Sequence, residues 1–245
     1  MFIWIAAAFA AFFVKGLCGF ANTLVFNTLL SFSGNNINIS PVELVLGYPS
    51  NFIIAWHERK NIKPAVVIPI AAMVMAGSLL GVFLLKNTDV RLVKILFGAV
   101  VVLVGAEMLL RKPAKEAKPD KSRSEKVLTP GLLLIGILSG ILCGLYGVGA
   151  LLGAYISRVT RGSGEFKGNI CTVFVIENTF RVILYAATGI LTAGTLRMAL
   201  KLAPVMLLGL FAGIKAASFL DERVVRTLIS VMLVVSGAAL IVTNI

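Results

Sequence analysis

The sequence predicts an all-α integral membrane protein made of two inverted structural repeats, each a broken or re-entrant helical hairpin followed by three transmembrane helices. Three observations carry that expectation. The composition is too apolar for a soluble fold. The apolar residues fall into eight blocks, divided four and four by a basic linker. Parts of the two sets of blocks match each other.

Of the 245 residues, 58% are hydrophobic and only 14% charged, with a mean hydropathy of +0.97. Soluble domains carry about 25% charged residues. A chain in hydrocarbon must satisfy its own backbone, so only helices and closed barrels cross. The alternating segments of a barrel strand are missing here. The net charge is +12, from 23 basic and 11 acidic residues. The bases cluster between apolar blocks, where they orient the chain and meet anionic headgroups. That placement makes the lipid bilayer the partner and argues against nucleic acid. Cys18, Cys143 and Cys171 lie in apolar segments, which disfavours a disulfide framework or a zinc site. The single histidine, His57, excludes a histidine-cluster metal centre. No phosphate loop, nucleophile elbow or metal-ligand cluster is present, so no enzyme activity, cofactor or metal is expected. Met1 to Val14 lacks the basic leading region of a signal peptide and is read as mature protein.

The first four blocks are Phe2–Phe32, Val42–Trp56, Pro64–Leu85 and Leu92–Leu110. The linker "RKPAKEAKPDKSRSEKV", 111–127, holds seven bases, three acids and two prolines, the composition of a solvated loop. Pro130–Ser157, Gly168–Ile190, Leu196–Ala217 and Val224–Val242 follow. The expected organisation is therefore a first membrane repeat at 1–110, a basic linker at 111–128 and a second repeat at 129–245. A shift of 132 residues lays Gly77, Gly81, Asp89, Arg91 and Gly105 over Gly209, Gly213, Asp221, Arg223 and Gly237, and a shift of 125 superposes "LCG" at 17–19 on "LCG" at 142–144. Internal repeats of this kind are a transporter construction.

Charge sets the orientation. The 111–127 loop is expected on the cytoplasmic side, as is "HERKNIK" at 57–63, with the uncharged 33–41 loop outside. If each first block dips in and returns, the loop holding Arg158, Arg161 and Lys167 and the "DERVVR" turn also fall inside, and the two repeats become inverted. Blocks of about 30 residues are too short for two crossings of ~20 each but long enough for two half-helices.

The first block contains "FVKGLCGFANT", 13–23, where Lys15 is the only charge before Val42. Gly16 and Gly19 let the chain turn, and a returning half-helix is expected from about Phe20–Asn22. In "GILCGLYGVGALLG", 140–153, Gly144, Gly147 and Gly149 take that role, with a half-helix from near Gly147. Helix N-termini carry free N–H groups and partial positive charge, so two of them aimed at one point make an anion site. Lys15 either adds a full charge to that site or snorkels or pairs with an acid. Cys18, Cys143 and Tyr146 flank the tips. The thiols are read as small packing residues, since neither has a histidine nearby. Gly77, Gly81, Gly209 and Gly213 fit close helix packing.

In "FVIENTFRVIL", 174–184, Glu177 and Arg181 stand four apart. Either they pair with each other, or Arg181 faces the cavity as an anion ligand while Glu177 carries a coupling proton. In "GYPSNFIIAW", 47–56, Pro49 is expected to break the helix, and Asn51 is a counterpart of Asn178. Glu107 and Arg111 read as an interfacial pair.

These features together resemble the TauE/SafE family of bacterial anion permeases. The resemblance rests on two glycine-studded hairpins, one opening each half, a basic central loop, and "GILCGLYGVGALLGAYIS" at 140–157, which is similar to the family's glycine-rich motif. It implies a multi-pass exporter in the bacterial plasma (inner) membrane for sulfite, sulfoacetate or another organosulfonate, with substrate held at the hairpin tips. The residues themselves argue only for a small anion moved by alternating access. A passive anion channel and a non-transporting scaffold are the other classes. The glycine-lined helices suit a homodimer.

Overall fold

The computed structural model describes residues 1–31, 39–87, 136–141, 143, 149–160, 162–219 and 222–242, together with scattered positions from 95 to 110. Among the described residues the fold is all-helical. Helices α1 (Phe2–Cys18) and α2 (Asn22–Ser31) are followed by α3 (Ile39–His57), a short 3-10 turn (Arg59–Asn61) and α4 (Pro64–Asn87). Then come α5 (Ala150–Val159), α6 (Ser163–Ala187), α7 (Ala193–Ala217) and α8 (Glu222–Val242). The described positions in 95–110 and 136–143 are also helical.

The helices α6 and α7, 25 residues each, are long and apolar enough to cross a bilayer. At 1.5 Å per residue each reaches about 37 Å. By contrast α1 and α2, with 17 and 10 residues, are short. They are separated where the sequence places a turn. Gly19 adopts a left-handed φ of 86° and donates its N–H to the carbonyl of Lys15 at 2.6 Å, which ends α1. Ala21 also has a positive φ, 71°. The chain then re-enters helix at Asn22.

One expectation is corrected. Pro49 does not break its helix. The helix α3 runs from Ile39 to His57 with Pro49 inside it. A proline removes one N–H and crowds the carbonyl four residues back, and neighbouring contacts can hold such a helix together. Here α3 is held by packing against α6 and α7. The half-helix expected from near Gly147 is seen from Ala150, capped by Gly149, against which the Phe174 ring packs too closely for any Cβ. Residues 144–148 lie outside the described residues, as do Glu107 and Arg111.

Packing is tightest where glycine removes the side chain. The helix α1 crosses α7 so closely that a Cβ on Gly209 would lie 2.6 Å from the Phe9 carbonyl oxygen, and one on Gly213 would collide with that of Phe13. Gly16 meets the α7 backbone from the other side. A second crossing of this kind sets Gly77 of α4 against the backbone of Ile137, Gly140 and Ile141, and a third sets Gly98 against Gly237 of α8. The helix α6 packs on α3 and α4, and α3 also touches α2 and α7. At one end, Lys63 pairs with Glu165 at 2.8 Å and donates its backbone N–H to Asn169 Oδ1, also at 2.8 Å.

The outer surface is apolar. Phe2, Ile68, Leu200, Leu208 and Phe211 are all exposed, while among the described residues fourteen polar or charged ones are buried. That is the reverse of a soluble fold and suits a hydrocarbon surround.

Candidate functional site

Among the described residues, four acidic or basic side chains are nearly closed off from solvent. Lys15 is 1% exposed, Glu43 3%, Glu177 2% and Arg181 1%. They come from α1, α3 and α6. Charges this deep in a membrane protein are expensive and mark function.

The first set gathers around Gly47. Lys15 Nζ donates to the Gly47 carbonyl at 3.3 Å and lies 5.8 Å from the centroid of the Phe12 ring. Glu43 Oε1 accepts from Thr23 Oγ1 at 2.8 Å and from Asn22 Nδ2. Asn22 and Thr23 are the first two residues of α2, so the carboxylate sits where a helix N-terminus favours negative charge. A Cβ on Gly47 would stand 3.0 Å from Glu43 Oε1 and 3.4 Å from Asn22 Nδ2. Glycine there lets Lys15 reach the backbone on one side and the carboxylate close in on the other. Among the described residues Lys15 has no carboxylate within ion-pair distance.

The second set lies on α6. Arg181 Nε is 3.6 Å from Glu177 Oε1, close enough to pair but too far for a hydrogen bond, and it is left without a hydrogen-bond acceptor. Arg181 Nη2 donates to Tyr185 Oη at 3.2 Å and to Ser40 Oγ of α3 at 3.4 Å. Glu177 Oε1 accepts from Ser78 Oγ of α4 at 3.3 Å. Glu43 feels the charges of both Lys15 and Arg181, and so links the sets.

Lys15, Gly16, Cys18, Gly19 and Asn22 lie at or beside the α1–α2 break. Cys18 Sγ sits 3.0 Å from the Val14 carbonyl oxygen. The Gly19 carbonyl accepts from Cys171 Sγ at 3.2 Å and that of Gly16 from Lys167 Nζ at 3.5 Å. Asn51 is buried one turn beyond Gly47, its Oδ1 without a partner. Asn178 is buried beside Glu177, and Cys143 is buried within reach of the charges of Glu177 and Arg181. Gly144, Tyr146 and Gly147 lie outside the described residues.

Glu43, Thr23, Ser40, Ser78, Tyr185 and Lys167 were not singled out from the sequence. One signal could have found Glu43: it is an acid inside an apolar block, as Lys15 is a base inside one. The remainder are neutral or peripheral and become visible only through their partners. Chemically, the arrangement offers two buried cations, side-chain amides and hydroxyls, and a helix N-terminus within one interior region. That set suits a small oxyanion.

Compared with known proteins, the chain matches the family model described as Sulfite exporter TauE/SafE over residues 4–240. No curated protein and no solved structure matches it.

Proposed function

The chain belongs to the sulfite exporter TauE/SafE family, and from that premise we propose that it is a secondary transporter exporting small anions, sulfite, sulfoacetate or a related organosulfonate, across a bacterial inner membrane. The family is one of membrane permeases of the anion-exporter type. The finer reading has residues 1–110 and 129–245 as inverted repeats that alternate access, with the 111–128 linker on the cytoplasmic side. Substrate is held between the α1–α2 break and the matching tip of the second repeat. The carrying observation is the pair of deeply buried cations, Lys15 and Arg181, in an interior region that also holds the acids Glu43 and Glu177 and several neutral donors.

The inverted-repeat reading is supported by the glycine crossings. Gly209 and Gly213 of the second half receive the first-half hairpin helix, and Gly77, which corresponds to Gly209 by the internal repeat, receives the helix that contains Gly140. Each half thus lends its small-residue helix to the other half's hairpin. That reciprocity is what a pseudo-two-fold axis in the membrane plane would produce.

The test is thermal unfolding of the purified full chain in detergent against sulfite, sulfoacetate, sulfate, acetate and chloride at matched ionic strength. A ligand at a hundred times its Kd stabilises by about 2.7 kcal/mol, roughly 5–10 °C for a chain of this length. Sulfite or sulfoacetate is expected to shift the wild type and to leave Lys15→Ala unmoved. Equal shifts in both proteins would remove Lys15 from the site. Saturable counterflow in proteoliposomes then separates a carrier from a channel.

A further inference from the structure

Glu43 has no place in the transport reading so far, yet its carboxylate sits against the first two residues of α2, where negative charge is favoured. Its direct partners, Asn22 and Thr23, open α2, and Gly47 has no side chain to keep the carboxylate away. Lys15 approaches the same glycine from its carbonyl side. We propose that Glu43 is the proton site of the transporter, an internal anion that gives up its negative charge by taking one proton when a substrate anion binds. This deepens the transport reading above and rests on it.

The argument is one of charge. With the site empty, Lys15 and Arg181 balance Glu43 and Glu177, and the buried set is neutral. A monoanion entering it would leave one uncompensated charge in a low-dielectric interior, which is costly. A proton on one of the two acids restores neutrality. Glu177 is the poorer acceptor on geometry, because Arg181 is its partner on the same helix at 3.6 Å and travels with it. Glu43 has only neutral hydrogen-bond donors in direct contact, and these are the donors an incoming oxyanion needs. Around Glu43, α1 contributes Lys15, α2 contributes Asn22 and Thr23, and α6 contributes Arg181 and Glu177. The helix α7, packed on α3, brings only the exposed cations Arg197, Lys201 and Lys215.

In this scheme the proton comes from water on the side where substrate binds and returns to water on the side where it leaves. The Glu43 O–H bond forms on binding and breaks on release. Nothing is oxidised or reduced. The loaded and empty sites then carry the same net charge, so the transport step itself moves no charge across the membrane.

Methanesulfonate is the probe, since it is a monoanion throughout the working pH range and any proton counted belongs to the protein. Titration calorimetry of the full chain is run in buffers of different ionisation enthalpy. Wild type is expected to take up about one proton per anion bound, and its affinity to fall about tenfold per unit rise in pH. Glu43→Gln is expected to bind with no proton uptake and no pH dependence. Binding to wild type without proton uptake would overturn the proposal, and that count suffices alone if the variant does not fold. Loss of the proton in Glu177→Gln and not in Glu43→Gln would also overturn it. If wild type binds neither methanesulfonate nor sulfite and exchanges neither across a vesicle, the transport reading fails and this inference fails with it.

Discussion

Two acid–base sets lie buried in this protein, and they are assembled differently. Glu177 and Arg181 sit four residues apart on α6, so one helix presents both charges. Lys15 and Glu43 come from different helices and meet around Gly47, with Asn22 and Thr23 of a third completing the set. The first set keeps its geometry however α6 tilts. The second exists only while α1, α2 and α3 hold their present spacing. A pair within one helix is therefore a fixed polar feature, while the set around Gly47 responds to helix movement. On the alternating-access mechanism proposed above, the movable set is the natural place for substrate and conformation to be coupled.

The comparison is broken most severely by removing one charge from each set. Arg181→Met leaves Glu177 buried without its paired cation, at about 3–5 kcal/mol of unfolding free energy, and Lys15→Met, which removes a contact to the Gly47 carbonyl and not an ion pair, is expected to cost less. The double variants then separate the two sets. Glu177→Leu with Arg181→Met is expected to return to within about 1 kcal/mol of wild type, because hydrophobic replacement of a buried pair is often neutral. Glu43→Leu with Lys15→Met is expected to recover less, since Asn22 and Thr23 are left unpaired at about 1–3 kcal/mol. Denaturant unfolding in detergent measures both cycles.

A smaller effect tests whether helix spacing matters to one set alone. Gly209→Ala forces α1 away from α7 and is expected to cost about 1–3 kcal/mol. It should also weaken the anion-induced stabilisation, because α1 carries Lys15. The smallest effect comes from a matched pair of glycines. Gly19 and Gly189 both have positive φ, 86° and 72°. Alanine at either position costs about 1–2 kcal/mol of backbone strain. Only Gly19→Ala is expected to change the response to sulfite, because Gly19 forms the α1–α2 break, while a Cβ at Gly189, in the loop after α6, would meet nothing within 4 Å. Unfolding temperatures with and without sulfite check both.

Much of this was legible in the chain. The break after Cys18 follows from glycine punctuation and appears with α2 starting at Asn22. Lys15 stood out as a lone base, and Glu177 with Arg181 as a four-residue spacing. Those are local signals. Glu43 was not read, because it lies beside Ser40 and Pro41 at the start of its apolar block, where an acid looks interfacial. Its partners are one helix earlier in the sequence, and no spacing rule connects them. The misreading of Pro49 has a related cause. Proline tendency describes an isolated helix, whereas packing against α6 holds this one. The neutral ligands, Ser40, Ser78 and Tyr185, acquire meaning only through the charge each one touches.

The meeting of α1 and α7 has a mechanical consequence. Helices that touch through side chains interlock like gear teeth, and any shift must lift each knob from its socket. Where Gly209 and Gly213 face Phe9, Phe13 and Gly16, the contact is main chain on main chain. Such a surface has no teeth. At these glycines no side chain stands between the two main chains, so a displacement along the contact lifts no knob there while the close approach is kept. Lys15 rides near the end of the helix that runs on this smooth track, one turn before the break at Gly19.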